Sequence, residues 1–537
     1  MEFDYIVVGA GSAGCVLANR LSESGRFTVL VLEAGASDFR PMLQVPIGYG
    51  KSFYDPSVNW KYESEPESGL AGRKSYWPRG KVLGGSSSIN AMVYVRGHPN
   101  DFDTWAQTSP GWEWQAVEPY FKKMENWQGK PSDLRGHDGP LWVSDISSQA
   151  HPLTAVFLQA AGQLDFPTVE DYNGPSMEGV SLYQITTHRG LRASTARSYL
   201  RPAMRRRCLT VLTKAHAHRL KINQQRVEGV EYRHRGKLCF AKARLEVVLC
   251  AGAVNTPQLL QLSGIGARAV LESAGVEQVH ALASVGENLS DHLGADITCE
   301  SSVPTMNQML RPLIGKLKVS IQWLATRKGP LSLSLNQAGG FVSSHKQLKV
   351  PDLQLYFSPV SYTRAPEGTR PLVSPDLFPG FLIGYNPCRP TSVGSIHIRS
   401  NDPYEPPTIR PNYLTTDHDK QLMLYGMKLM RKILKTPAFK SIVVNELKPG
   451  IACESDQEIM DYIQQTAWTV FHPCCTCRMG TDWRDSVVDP SLRVHGLQGL
   501  RIADASVFAS IPSGNTNAPS IMVGERASDL ILQAAPN

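Results

Sequence analysis

The chain has 537 residues, 55 basic and 48 acidic side chains for a formal net charge of +7, 42% hydrophobic residues and 19% charged ones. That composition excludes a largely disordered chain, and the mild basic surplus demands no nucleic-acid partner. No apolar run reaches the ~20 residues of a membrane-spanning helix.

Ten scattered cysteines follow a start, Met1-Glu2-Phe3-Asp4, without the basic and apolar regions of an export signal. This predicts reduced thiols and a cytoplasmic location, with peripheral attachment at the inner membrane as the alternative. Residues 3–8 are a short β-branched and aromatic run that predicts a buried parallel strand. Gly9-Ala10-Gly11-Ser12-Ala13-Gly14 follows, then residues 15–21 at helical apolar spacing. In this GxGxxG, Gly9 permits the tight turn, Gly11 lets the backbone approach a pyrophosphate, and Gly14 lets the helix pack on the strand. The helix N-terminus adds roughly half a positive charge. A second strand, 28–32, ends at Glu33, where a carboxylate accepts both hydroxyls of an adenosine ribose. An acid there disfavours a 2′-phosphate. The motif does not separate NAD from FAD.

Residues 79–94 are a dense Gly/Ser loop running into an apolar stretch. Its backbone N–H groups suit a phosphate or a flavin edge. Arg205-Arg206-Arg207 reads as a solvated turn. A strand at 246–250 then meets a helix, for which Thr256 is the expected N-cap, Pro257 the first helical residue, and Gly264 and Gly266 the end.

These segments resemble the glucose–methanol–choline family of FAD-dependent oxidoreductases, in the nucleotide motif, GKVLGGSSSIN (80–90) and GAVNTPQLLQLSGIG (252–266). Further matches are His472-Pro473 through Gly480, Leu500 through Ser506, and Gly514-Asn515-Thr516-Asn517-Ala518-Pro519. The resemblance runs the length of the chain, is weakest from about 300 to 450, and is nearest to choline-dehydrogenase-like bacterial members. It implies an α/β fold: a Rossmann-like FAD-binding domain with a second α+β substrate domain whose antiparallel sheet lies over the flavin. The expected FAD-binding segments are 1–150, 195–300 and 455–537. The substrate domain takes 151–194 and 301–454, with strands near 380–384 and 394–398 in its sheet.

The resemblance also implies site residues. Glu33 holds the adenosine ribose. Trp60 is a flavin-side contact, residues 90–93 (Asn90, Ala91, Met92, Val93) run beside the isoalloxazine, and Ala217 meets the adenine. Asp504, Ala505, Asn517 and Pro519 close the ribityl and pyrimidine end. Gly9, Gly11, Ser12, Ala13, Gly14, Ala34, Val82, Gly85 and Ala251 complete the cofactor set. Where some relatives carry a histidine that tethers the flavin, this chain has Ile89, which predicts noncovalent FAD.

Oxidising an alcohol removes a proton from oxygen and a hydride from carbon. Free alcohols ionise near the pKa of water, roughly 16, so a full alkoxide costs ~12 kcal/mol at pH 7. An imidazole, with a pKa of about 6.5, accepts the proton as hydride leaves for flavin N5. The family motif makes His472 that base. Its partner position, His or Asn in relatives, is Asn515 here, an amide that orients the alcohol but is no base. Cys475 stands where the family has glycine, so a loop requiring positive φ there must be rearranged or strained. Cys474 and Cys477 have C-x-x-C spacing, but no second ligand pair follows and no metal is expected.

The expected activity is oxidation of an alcohol, favoured as primary, with oxygen or a quinone-type acceptor taking the electrons. A quaternary ammonium substrate would need an aromatic cage, for which Trp323, Tyr356, Phe357 and Tyr385 are candidates. A hydroxynitrile-type lyase and a light-driven fatty-acid decarboxylase are alternatives on the same fold. Nothing in the sequence sets an oligomeric state.

Overall fold

The computed structural model describes residues 1–362 and 374–536. A seven-stranded sheet runs in the order Leu209–Thr213, Val29–Glu33, Glu2–Val8, Lys237–Leu249, Arg226–His234 and Ala215–Asn223, with Leu500–Ile502 beside the end of Lys237–Leu249. The first four strands and Leu500–Ile502 pair in parallel, while the strands between 215 and 249 form an antiparallel meander. Val29–Glu33 is buried throughout and Glu2–Val8 from Tyr5 onward, as apolar runs covered on both faces must be. The helix Ser12–Leu21 packs on these strands and against the last helix, Asn517–Ala534.

A second, antiparallel sheet has the order Ala338–Val342, Leu353–Ser358, Gly380–Pro387, Leu293–Ser301 and Val443–Lys448, with Trp468–Thr469 pairing at the start of Leu293–Ser301. The helix Asp417–Leu434 packs on it, and the Tyr385 hydroxyl donates to the Met423 carbonyl across that interface. Each sheet has its own core: Val8, Leu30 and Val248 in one, Ile297, Phe357, Ile383 and Met427 in the other.

Leu153, Phe157 and Val180 join the second core, as do Ile459 and Ile463 of the helix Asp456–Thr466. We propose that the substrate-side unit comprises 151–194 and about 293–469. Compared with 301–454, this moves the strands Leu293–Ser301 and Trp468–Thr469 and the helix Asp456–Thr466 across the boundary, on the criterion of the sheet and core they share.

Two local expectations are corrected. Residues 394–398 do not join the roof sheet: Ser395–His397 pairs with Thr408–Arg410 in a separate ribbon. The helix expected to begin at Thr256 spans Gly252–Leu262. Its N-terminus is capped from a distant loop, the Gly252 N–H donating to Asp504 Oδ2 at 2.8 Å, and the Thr256 hydroxyl donates to the same oxygen at 2.6 Å. Pro257 therefore lies inside the helix and cannot bond the Ala253 carbonyl, which accepts from the Thr476 hydroxyl at 2.7 Å instead.

Candidate active site

A cavity of about 820 Å³ runs between the two layers, within the range of cofactor and ligand sites. At one end lies the turn after Glu2–Val8. Gly9 has φ 100°, and a Cβ on Gly14 would stand 2.0 Å from the Gly9 carbonyl, so helix and turn meet only because that residue is glycine. The Gly/Ser loop folds over this turn as a short 3-10 segment, Gly85–Ser88, and a Cβ on Gly85 would come within 2.7 Å of the Gly11 Cα. Ser12 Oγ donates to Asn517 Oδ1 at 2.8 Å, joining the turn to the start of the last helix.

Glu33 is buried at the end of its strand and accepts from the N–H groups of Gly35 (2.7 Å) and Ala10 (2.9 Å). Burial pushes its carboxyl up to about 7, against those two donors and the Lys81 ammonium.

Of the expected cofactor residues, Gly9, Gly11, Ser12, Ala13, Glu33, Ala34, Trp60, Gly85, Asn90, Ala91, Met92, Val93, Ala217, Ala251, Asp504, Ala505 and Asn517 line the cavity. Gly14, Val82 and Pro519 do not. Gly14 is a packing contact, Val82 sits in a small cluster with Ile89, and Pro519 is buried in the first turn of the last helix. Trp60, in the cavity wall, has three close ring or cation neighbours. It stacks on Tyr62 at 5.8 Å, lies 5.5 Å from the His216 ring, and has the Lys81 ammonium 4.2 Å from its centroid. The buried Arg192 donates to Asn90 O (2.7 Å) and Oδ1 (2.8 Å), holding the stretch in which Met92 takes φ 67°.

At the other end His472 and Asn515 meet, Asn515 Nδ2 lying 3.0 Å from His472 Nε2. Three residues that the sequence did not single out complete this end. His292 Nδ1 lies 2.9 Å from His472 Nδ1, and its Nε2 lies 2.9 Å from the Cys388 carbonyl. Gln354 Nε2 donates to Asn515 Oδ1 at 3.2 Å. Asp291 accepts from the His472 backbone N–H at 2.7 Å and from the hydroxyls of Thr469 and Tyr413.

Hydrogen-bond logic fixes the protons. A carbonyl only accepts, so His292 carries its proton on Nε2 and offers the Nδ1 lone pair. His472 must then donate from Nδ1, leaving the Nε2 lone pair toward Asn515. Gln354 holds the Asn515 amide oxygen away, so its NH₂ faces that lone pair. Both rings are buried and neutral. Burial lowers His292 to about 4. Burial first, then His292 and the Arg79 guanidinium, hold His472 well below its usual value.

The backbone carrying His472 is constrained. Phe471 and Cys475 have φ 68° and 71°. The Phe471 carbonyl accepts from Arg79 at 2.7 Å. The Cys474, Cys475 and Cys477 N–H groups donate to Ser290, Ala505 and Ser506 carbonyls. Cysteine has therefore kept the left-handed geometry open to glycine, at a cost of about 1–2 kcal/mol. Cys474, Cys475 and Cys477 are buried, free thiols. Among the described residues no group of three or more metal-ligating side chains converges.

Of the four candidate cage aromatics, Tyr356 alone lines the cavity. Phe357 and Tyr385 belong to the core of the roof sheet, and Trp323 lies on an outer helix, donating to the Gly190 carbonyl. Phe53, Trp468 and Phe471 stand in the cavity wall beside His472 instead.

The glycine cradle, the buried acid Glu33 and a neutral imidazole along one cavity suit a dinucleotide-dependent oxidoreductase. The GMC oxidoreductase family models match residues 3–294 and 390–524. The chain is 41% identical to an oxygen-dependent choline dehydrogenase of Vibrio vulnificus, across all of this chain and 95% of the relative. It is 40% identical to one of Brucella ovis, across all of this chain and 96% of the relative. Among solved structures, pyridoxine 4-oxidase from "Mesorbium loti" superposes with TM-score 0.89 at 29% identity, covering 99% of this chain and 100% of that one. Aspergillus oryzae formate oxidase does so at 0.91 and 27%, covering 99% and 98%.

The chain belongs to the GMC oxidoreductase family. It has that fold, and it is an FAD-dependent oxidoreductase that acts on alcohols. Among the described residues no helix is long and apolar enough to cross a membrane.

Proposed function

We propose that this protein oxidises a primary alcohol of modest size to the aldehyde, with His472 as the base and Asn515 as the orienting donor. The observation that carries this reading is the chain from the Cys388 carbonyl through His292 to His472, which leaves an unprotonated Nε2 at the cavity. A substrate hydroxyl placed there donates to His472 Nε2 and accepts from Asn515 Nδ2. His472 takes the proton as the C–H bond is cut, so no free alkoxide builds up. FAD, when bound, supplies the hydride acceptor. Phe53, Tyr356, Trp468 and Phe471 give the rest of the substrate an apolar, aromatic wall.

The residues present fit FAD by the glycine cradle, the helix N-terminus at Ser12, and Glu33. We place Trp60 with Ala217 and Lys81 at the adenosine end, because its ring neighbours are His216 and Lys81. Glu33→Gln should weaken FAD binding roughly 10- to 100-fold, since a hydrogen bond to a charged group contributes about 1.5–3 kcal/mol. Flavin fluorescence on serial dilution measures this, and an unchanged dissociation constant would remove Glu33 from the ribose. Ile89, buried among Leu43, Val58 and Val82, offers no nucleophile. Acid precipitation should therefore release all the flavin to the supernatant, whereas yellow colour in the pellet would show a covalent bond elsewhere.

The ten free cysteines suit a reducing, cytoplasmic setting. Electrons pass to oxygen or to a quinone-type acceptor, two cases that the rate of flavin reoxidation in air distinguishes. An anaerobic alcohol panel that includes choline tests the substrate reading.

A further inference from the structure

The helix Leu313–Thr326 lies on the substrate-side unit with an unusual face outward. Leu313 and Ile314 are each 82% exposed, Leu317 62%, Ile321 57% and Leu324 63%. At 3.6 residues per turn these five fall within an arc of about 100°. Val319 and the Trp323 ring lie on the opposite side. Val319 is buried, and Trp323 is pinned by its indole N–H on the Gly190 carbonyl. The apolar arc is thus the side turned from the body of the protein.

Charge completes the pattern. Lys316 and Lys318 are exposed and flank the arc on either side, and Arg327 and Lys328 are exposed at the helix end. From residue 302 to 351 the sequence contains no Asp or Glu. A second copy of the chain is a poor occupant, because a two-fold contact through this face would set its lysines against each other. A surface with an apolar interior and an anionic rim fits both features.

We propose that this helix docks the protein onto an anionic lipid bilayer, with Leu313, Ile314, Leu317, Ile321 and Leu324 among the acyl chains and Lys316, Lys318 and Lys328 at the phosphates. The helix packs against Pro330–Ser332, which packs on the Pro46–Gly48 turn. Tyr49 and Phe53, just after that turn, and Leu335 line the cavity. Docking therefore sets one cavity wall close to the lipid surface, a position suited to exchange of lipophilic molecules.

Co-sedimentation of holoenzyme with vesicles of phosphatidylglycerol and phosphatidylcholine tests this. Binding should be at least ~10-fold tighter to the mixed vesicles than to phosphatidylcholine alone, and should weaken with salt. Leu317→Glu/Ile321→Glu should lose at least ~10-fold while keeping its flavin spectrum, and Lys316→Gln/Lys318→Gln should lose the preference for anionic lipid. No binding by the wild type would overturn the proposal, as would equal binding by the Leu317/Ile321 double variant. A dimer that this double variant splits, without vesicle binding, would assign the face to a second copy. The test is independent of which alcohol the enzyme oxidises.

Discussion

His472→Ala is expected to lower kcat/KM for the alcohol at least ~100-fold while leaving flavin in place, the usual scale for losing an acid–base group. His472 Nε2 is the unprotonated imidazole nitrogen that the hydrogen-bond chain aims into the cavity beside Asn515. Without it the hydroxyl proton must go to water or leave after the hydride, and the ~12 kcal/mol ionisation cost returns to the barrier in part. Anaerobic stopped-flow measurement of flavin reduction reads the chemical step directly. Near-normal reduction by the variant would sink the assignment. The pH profile carries a signed companion result. His472 acts as base only when neutral, so activity is present above its pKa and lost as pH falls through it. Because that pKa is held well below its usual value, the acid limb of kcat/KM should lie well below pH 6.5, the ordinary histidine value.

His292→Phe is expected to lower kcat roughly 10- to 100-fold. A buried carboxylate orienting a catalytic histidine is worth up to about 10⁴. His292 is a neutral acceptor, contributes no such charge, and should be worth less. It is a positioning residue: it selects the His472 tautomer whose Nε2 is unprotonated. With no acceptor at Nδ1 the His472 ring can carry its proton on Nε2, which blocks proton transfer, so His292→Gln, whose amide oxygen can accept in the same place, should recover part of kcat. A structural role alone would lower stability without that rescue. Unchanged kcat in His292→Phe, or no recovery in folded His292→Gln, would contradict the relay.

Much of the cofactor end was legible because its signals are local. A buried strand, a glycine turn, a helix and a terminal acid lie within 33 residues, and each is dictated by its neighbours in the chain. Where partners are distant, local reading failed. Thr256 resembles an N-cap, but Asp504 caps that helix from 252 residues away and takes the threonine hydroxyl as well. The strand at 380–387 was recognisable, yet the equally strand-like 395–397 pairs elsewhere, since pattern says nothing of which edge a strand joins.

The same limit hid half of the proposed catalytic end. Fourteen histidines cannot be ranked by sequence, and His292 acquires meaning only through a partner 180 residues on. The weak signal was an Asp-His pair, Asp291-His292, leading into an apolar strand, where buried titratable groups need stated partners. Cys475 was legible as a departure from glycine. That its φ of 71° would nevertheless be retained depends on the backbone bonds pinning residues 474–477.

The most direct test of alcohol oxidation at this site is the visible spectrum of purified holoenzyme during anaerobic addition of an alcohol panel, followed by air. The flavin bands should bleach with at least one primary alcohol and return in air, quickly if oxygen is the acceptor and slowly if a quinone-type molecule is. Persistence of the oxidised bands with every alcohol, in protein that a chemical reductant bleaches normally, would contradict the account.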